Sequence, residues 1–314
     1  MDQSTADLLI KDANCFLEKT RGNWDFEQTD VYINDGKISY IGRNGPRAKE
    51  VIVAKGWSLF PGFIDSQVHF REPGLVHKED LHSGSRSAVA GGITSLFEMP
   101  NTKPSTTNME ALQHKFDRAA GRMYCNYAFY AGATLQNKSN LVDMEKLDGC
   151  CGTKIFMGSS TGDLLVDEDQ GLLEILKSVS RNVAVHSEDE TRLKSRGEFR
   201  QPGQALSHMH WRDEMTAVIS TERLLKAARS AGRKVHVLHV TTWQEMEILR
   251  NNKAFASVEV TPQHLTLTAP EAYDRLGTLA QMNPPIRTRE HQEALWKALN
   301  EGVVDVIGSD HAPH

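Results

Sequence analysis

The chain has 314 residues, of which 39% are hydrophobic, and its formal net charge is -5. This length suits one large domain with an appendage, or two domains, and the apolar content is enough for a sizeable core. Interspersed charges with a slight acidic excess argue against a nucleic-acid or other polyanionic partner.

The longest apolar runs are strand-sized, so the sequence predicts no membrane span. The first residues lack the basic-then-apolar pattern of a signal peptide, and the 4 cysteines show no Cys-x-x-Cys spacing. These features predict a cytoplasmic protein with free thiols.

Residues 1–58 predict a small β-strand module. Short runs rich in β-branched residues lie at 6–10, 30–33, 37–41 and 51–54. Asn34-Asp35-Gly36 predicts a hairpin between the second and third runs, because Asp-Gly supplies the positive φ angles of a tight turn. We expect this module to form part of a β-sandwich.

Residues 59–314 repeat a different pattern of strand, polar tip and helix. The candidate strands are 62–70, 93–98, 125–132, 153–157, 183–186, 235–240, 257–261 and 304–308. Candidate helices lie at 107–120, 169–178 and 212–231, the last ended by Gly232, and 188–210 is expected to be a polar loop. Eight strands alternating with helices predict an α/β fold, a (β/α)8 TIM-type barrel that ends at strand eight.

The first barrel strand carries Gln67 and His69, which point the same way because they are two residues apart. A His-x-His pair in this position indicates a metal site, since two neutral imidazoles can share one cation. Gln67 stands where the first histidine of such a pair would be, and an amide binds transition metals poorly. Whether the chain is a metalloenzyme therefore depends on its other ligands.

Further candidate ligands lie at other strand ends, where barrels of this kind place their reactive residues. His69 ends the first strand, His186 the fifth and His239 the sixth, while Asp310 follows the eighth. A single histidine there is more often structural. Three histidines and one aspartate at the strand ends of one barrel indicate a metal centre.

Lys154 lies within the apolar fourth strand. Burial disfavours its charged form and lowers its pKa, so that a reactive neutral amine becomes available. Such an amine can add CO2 to form an anionic carbamate that bridges two metal ions. The alternative is a buried lysine paired with a carboxylate.

Four motifs resemble those of the dihydroorotases of the amidohydrolase superfamily, over residues 62–314. They are Asp65-x-x-Val68-His69-Phe70-Arg71-Glu72-Pro73-Gly74, Met99-Pro100-Asn101-Thr102, Met282-Asn283-Pro284-Pro285 and Gly308-Ser309-Asp310-His311-Ala312-Pro313-His314. The resemblance implies a zinc-bearing barrel and reversible cyclisation of N-carbamoyl-L-aspartate to L-dihydroorotate in pyrimidine biosynthesis. The Gln-x-His form resembles a recurrent subclass. It leaves one metal ion short of a ligand, so that this ion binds weakly, takes a water or the amide oxygen, or is absent.

The same resemblance assigns the ligands. The lysine of the Lys-x-Phe-Met-Gly-Ser-Ser-Thr-Gly motif is carbamylated in that family, which implies a bridging role for Lys154. His186 and His239 would hold one zinc ion, and His69 and Asp310 the other.

The expected mechanism is attack on the ring carbonyl by a metal-bound hydroxide, with Asp310 as general base and then general acid. Arg71 follows the strand-end histidine by two positions and offers a planar fork for the substrate carboxylate. By the resemblance, Asn101 and His314 join Arg71, and Asn283 contacts the ring.

Two other functions stay open. A hydantoinase, dihydropyrimidinase or allantoinase would act on a ring without that carboxylate, and those families generally lack an arginine at position 71. A non-catalytic scaffold for aspartate carbamoyltransferase is favoured weakly by Gln67 and opposed by the retained ligands. The expected partners are a small-molecule substrate and either a second copy of the chain or aspartate carbamoyltransferase.

His264, near the end of the seventh strand, has no assigned role, and His77 and His82 are expected to be solvated. The chain stops at His314 without a helix after the eighth strand, whereas members of the family continue. An uncovered strand exposes apolar surface. We therefore expect a fragment, or a further segment that completes the fold, and we expect the 314-residue chain by itself to be unstable or inactive.

Overall fold

The structure is a computed structural model that describes residues 5–158 and 164–314. The chain divides into two compact units, Met1–Phe63 and Ile64–His314. Residues 159–162, which belong to the motif that contains Lys154, lie outside the described residues. Among the described helices, none combines the length and apolar character that crossing a bilayer requires.

The first unit is a five-stranded sheet. Its strands are β1 (Ala6–Thr20), β2 (Asn23–Asn34), β3 (Lys37–Ile41), β4 (Ala48–Val53) and β5 (Ser58–Leu59). β1, β2 and β3 are antiparallel neighbours, and β4 and β5 pair in parallel with β1. The predicted hairpin joins β2 to β3, with φ angles of 51° at Asp35 and 71° at Gly36. β1 and β2 are longer than predicted because their remaining halves, which lack β-branched runs, pair with each other.

The barrel has eight strands in chain order. They are β6 (Phe63–Val68), β7 (Ile93–Glu98), β8 (Asn126–Gly132), β9 (Cys150–Phe156), β10 (Asn182–His186), β11 (Val235–Val237), β12 (Ala256–Val260) and β13 (Val306–Ile307). A parallel bridge joins Val68 to His311, and the His69 amide donates to the His311 carbonyl at 2.7 Å. The end of the chain therefore returns to β6, and the predicted TIM-type barrel is confirmed as a nearly closed one.

Helices occupy the connections between strands. They are α1 (Leu81–Ala90), α2 (Met109–Ala119), α3 (Leu141–Met144), α4 (Asp169–Ser178), α5 (Glu190–Ser195), α6 (Ser207–Trp211), α7 (Glu214–Ala231), α8 (Trp243–Arg250), α9 (Pro262–Thr266), α10 (Glu271–Leu276) and α11 (Arg289–Asn300). The three predicted helices correspond to α2, α4 and α7. Asp213 caps α7 by accepting from the Thr216 amide, and Gly232 ends it with a φ of 63°. The expected loop at 188–210 was wrong in part, because the Asp189 carboxylate caps α5 within it.

The main hydrophobic core lies between the strands and the helices around them. Phe129 and Ile155 of the strands belong to the same cluster as Leu112 of α2 and Leu176 of α4. Because side chains alternate along a strand, the residues between these core positions face the barrel interior. This arrangement leaves the strand ends to carry polar groups.

Candidate active site

All five sequence-predicted metal residues lie at or near the C-terminal ends of barrel strands. His69 follows β6, Lys154 lies near the end of β9, His186 ends β10, His239 follows β11, and Asp310 follows β13. The three histidines and the lysine are buried, and the Asp310 side chain is 10% exposed.

Three candidate site residues have a backbone conformation that side chains rarely adopt. The φ angle is 64° at Arg71, 38° at His239 and 49° at Asp310. Within the described part of the barrel unit, these are the non-glycine residues with positive φ. Such strain costs about 1–3 kcal/mol per residue and concentrates at functional sites. The positive φ angles therefore indicate a functional site at this end of the barrel, independently of the side-chain contacts.

His186 and His239 face each other through one ring nitrogen each. His186 Nδ1 lies 3.1 Å from His239 Nε2, and His186 Nε2 lies 2.9 Å from Glu188 Oε2. Burial lowers the pKa of both histidines, so both rings are neutral near neutral pH. Burial would raise the pKa of Glu188, but Arg212 and His186 lower it to about 2. The ionised Glu188 can only accept, so His186 donates from Nε2 and keeps the Nδ1 lone pair for a ligand.

Asp310 accepts from two residues at the end of β6. His69 Nε2 lies 3.1 Å and Gln67 Nε2 lies 3.0 Å from the same oxygen, Asp310 Oδ1. Burial would raise the pKa of Asp310, but the His69 contact and nearby positive charge outweigh burial and lower it to about 2. The second His69 nitrogen, Nδ1, lies 2.6 Å from Asn101 Oδ1. Asp310 is therefore an ionised carboxylate that can take up a proton.

Lys154 is fully buried, and its Nζ has no hydrogen-bond partner among the residues that the structure describes. Burial lowers the pKa of Lys154 to about 7, so a large fraction of the amine is neutral near neutral pH. The Nζ atom lies 4.4 Å from the centroid of the Phe156 ring. Lys115 differs, because this equally buried lysine pairs with Glu98. Among the described residues, a carboxylate partner is therefore found for Lys115 and none for Lys154.

The chemistry of these donors fits a divalent metal ion. Across residues 5–158 and 164–314, no three His, Cys, Asp or Glu side chains already form one ligand cluster. The donors form two pairs instead, His186 with His239 and His69 with Asp310, each with two atoms 3.1 Å apart. Two ligands of one tetrahedral zinc ion lie roughly 3.3 Å apart, because each bond is about 2.0 Å long. Lys154 Nζ and His239 Nδ1 are buried and have no hydrogen-bond partner within residues 5–158 and 164–314, so a bound group would relieve a desolvation cost there.

Arg71 presents a buried guanidinium near this centre. Its Nε donates to the Pro313 carbonyl at 3.0 Å, and no carboxylate of the described residues forms an ion pair with it. Burial lowers the pKa of Arg71, although a guanidinium stays charged. Asn101 is half-buried and bonded to His69, whereas His314 is exposed. The structure therefore brings Asn101 into contact with His69, while the exposed His314, whose pKa is lowered mainly by partial desolvation, lies close enough to Arg71, His69 and Asp310 for their charges to affect that pKa as well.

Asn283 is exposed, and two histidines without a predicted role hold the backbone on either side of it. His208 Nε2 donates to the Met282 carbonyl at 2.9 Å, and His264 Nε2 donates to the Pro284 carbonyl at 3.0 Å. Burial lowers the pKa of His264 to about 4, so it acts here as a neutral donor. Both ring nitrogens of His264 therefore have hydrogen-bond partners, since Nδ1 lies 2.8 Å from Thr261 Oγ1, and the side chain helps to hold this loop.

Glu188 and Arg212 were missed by the sequence reasoning. Glu188 follows His186 by two residues, which is the available signal, but its contact with Arg212 depends on the fold. His77 and His82 are exposed, in agreement with their predicted solvation.

Comparison with known proteins places this geometry in context. A family model described as "Amidohydrolase family" matches residues 58–314. The allantoinase of Salmonella choleraesuis is 32% identical over 324 residues, which covers 98% of this chain and 70% of the relative.

Solved structures give the same picture. L-Hydantoinase (dihydropyrimidinase) from Arthrobacter aurescens superposes with a TM-score of 0.91 at 26% identity, covering 99% of this chain and 70% of that one. D-Hydantoinase (dihydropyrimidinase) from Thermus sp. gives a TM-score of 0.83 at 26% identity, covering 98% of this chain and 69% of that one. The chain thus spans about 70% of the length of these relatives.

Proposed function

Because the chain belongs to the amidohydrolase family, we propose that it opens and closes a cyclic amide whose ring carries a carboxylate. The proposed pair is L-dihydroorotate and N-carbamoyl-L-aspartate. Members of this family generally depend on a metal ion, and the paired donors at the strand ends support zinc in this chain.

Arg71 is the observation that carries the proposal. A buried cation without a carboxylate partner is costly, and a substrate carboxylate would relieve that cost. The guanidinium matches a carboxylate through two parallel hydrogen bonds, and among the described residues only its Nε is bonded, to Pro313. A ring without a carboxylate would leave this group unpaired. Arg71 therefore favours a carboxylate-bearing ring.

The two donor pairs and the buried amine of Lys154 support the proposed metal centre. Zinc held by His186, His239 and a carbamylated Lys154, with His69 and Asp310 as the second ligand set, would supply an activated water and polarise the ring carbonyl.

The remaining steps belong to the chain's own side chains. The ionised Asp310 takes the proton of the attacking water and returns it to the ring nitrogen as the amide bond breaks. Glu188 holds His186 in one tautomer, and Asn101 contacts the second ring nitrogen of His69, Nδ1, and so helps to hold the ring in place. Arg71 binds the carboxylate and so orients the scissile bond.

A second candidate is the opening of a ring that lacks the carboxylate, as in hydantoin or allantoin. The names of the relatives favour it, since they are an allantoinase and two hydantoinases. Its weakness is the buried guanidinium of Arg71, which has no carboxylate partner among the described residues and for which such a ring offers none.

The two candidates separate in one kinetic comparison. Protein prepared with zinc and bicarbonate is assayed for ring opening of L-dihydroorotate and of hydantoin. We expect kcat/KM to be higher on dihydroorotate by roughly tenfold or more, the value of one charged hydrogen bond. A preference for hydantoin would reject the carboxylate-bearing ring and support the second candidate. Lys154→Met serves as the control, because its loss should abolish both rates if they arise at this centre.

A further inference from the structure

Gln67 is the residue that departs from the His-x-His pattern, and its side chain is almost fully buried, with 1% exposed. Its Nε2 lies 3.0 Å from Asp310 Oδ1, across 243 residues of sequence. Its Oε1 is buried and has no hydrogen-bond partner among the described residues. One end of the amide group, Nε2, therefore has a hydrogen-bond partner, and the other end, Oε1, has none among the described residues.

The orientation of this amide follows from its contact with Asp310. Nε2 is the atom that lies within hydrogen-bond distance of Asp310 Oδ1, so the NH2 group of Gln67 faces the carboxylate and the carbonyl oxygen points elsewhere. Amide nitrogen has no free lone pair to offer a cation, and its N–H bonds place partial positive charge beside Asp310 Oδ1. This side of Gln67 therefore stabilises an anion and does not favour a metal ion.

The contacts of Asp310 show that the hydrogen bond from Gln67 helps to fix the rotation of the Asp310 carboxylate. Oδ1 accepts from both Gln67 and His69, while Oδ2 accepts from no described residue. Two donors on one oxygen set the rotation of the carboxylate group. The second oxygen then keeps a defined direction for proton transfer.

We propose that Gln67 is a positioning residue that orients the Asp310 carboxylate for proton transfer, and that it is not a metal ligand. The inference rests on the proposed function, because it requires Asp310 to act as the base. The partnerless Oε1 has a matching role, since it can accept a hydrogen bond from the attacking water.

The rival account makes Oε1 a metal ligand, and two substitutions separate the accounts. Gln67→Glu keeps the shape and a ligating oxygen but loses the N–H donor and faces Asp310 with a like charge. Gln67→Met removes both ends of the amide. Zinc per chain and zinc affinity are measured by mass spectrometry and by competition with a chelator, together with kcat and KM on dihydroorotate and hydantoin.

A positioning role predicts that kcat falls roughly a hundredfold in both variants, the typical cost of a misplaced catalytic group, while KM changes little. It also predicts that Gln67→Met binds zinc as tightly as the unaltered protein. Loss of zinc affinity in Gln67→Met, or retained kcat in Gln67→Glu, would overturn the inference and make Oε1 a ligand.

Gln263→Met is a matched control. Gln263 also donates through Nε2, to the Ser309 carbonyl at 2.9 Å, and its Oε1 is also buried without a partner in the described chain. This variant should keep kcat within about twofold, and an equal fall would mean that any buried glutamine loss explains the result. If no ring is opened at all, the proposed function fails, and the zinc measurements still test whether Gln67 is a ligand.

Discussion

His186 donates through Nε2 to Glu188 Oε2 at 2.9 Å, which leaves its Nδ1 directed at His239. Glu188 is fully buried and also pairs with Arg212, itself 1% exposed. The carboxylate therefore has two functions. It fixes the tautomer of a candidate metal ligand, and it neutralises a buried cation.

Glu188→Gln tests the first function. The amide keeps the shape but no longer demands a proton on His186 Nε2, so zinc affinity should fall about 10- to 100-fold. Chelator competition measures this. Arg212→Met is the matched variant, since it breaks the same buried ion pair but leaves Glu188 to orient His186. Equal losses of zinc affinity in both variants would assign the effect to destabilisation and not to the tautomer.

The second function predicts a pH dependence of stability. The pKa of Glu188 falls from 4.5 to about 2 in the folded chain, after its partners outweigh burial. A lowered carboxyl pKa stabilises the fold above the unfolded value and loses that contribution as pH falls toward the folded value. We expect about 3 kcal/mol in total, lost between about pH 5 and pH 2. Urea unfolding of metal-free protein at a series of pH values measures the free energy of unfolding, and Glu188→Gln should lack this part of its decrease at low pH. The same decrease in the variant would contradict the assignment to Glu188.

Lys154 should react with CO2 and Lys115 should not. Both are fully buried, but Lys115 is held by Glu98 and by the Met99 carbonyl at 3.0 Å, whereas Lys154 has no described hydrogen-bond partner. Carbon-13 bicarbonate should therefore give one carbamate signal by NMR. The signal should disappear in Lys154→Met. A carbamate signal that persists in that variant would show that another amine reacts.

Gly74→Ala should disturb the loop that carries Arg71. Gly74 has a φ of 89°, and an added Cβ would lie 2.1 Å from the Lys103 carbonyl oxygen. We expect a loss of about 1–3 kcal/mol in unfolding free energy and a higher KM for dihydroorotate. Gly203→Ala is the control, because its φ of 80° is similar but no atom lies within 4 Å of the added Cβ. It should show the backbone strain without the change in KM.

The barrel and its ligand positions could be predicted from the sequence because strand ends carry the chemistry in this architecture. The strand bounds could not be predicted in the same way. β11 stops at Val237, before His239, whose positive φ of 38° is imposed by tertiary contacts that the local sequence does not show. The sequence identified Gln67 as a poor ligand. Its contact with Asp310 spans 243 residues and needed the fold.

For Arg71, too, the sequence predicts part of the role and the fold is needed for the rest. Its position two residues after His69 predicts a fork for a carboxylate, but the sequence does not show whether the guanidinium is buried or pairs with a carboxylate of the chain itself. Only the packed structure shows that the guanidinium is buried and that no described carboxylate pairs with it. Whether the Arg71 guanidinium pairs with a carboxylate of the chain depends on every element that packs around it, so the local sequence cannot predict it.

The most direct test of the central claim is the substrate preference of Arg71→Met. The measured quantity is the ratio of kcat/KM on L-dihydroorotate to kcat/KM on hydantoin, in the variant and in the unaltered protein. Loss of two charged hydrogen bonds predicts that this ratio falls roughly a hundredfold, with the rate on hydantoin nearly unchanged. An unchanged ratio would show that Arg71 does not recognise a substrate carboxylate, and it would contradict the proposed function.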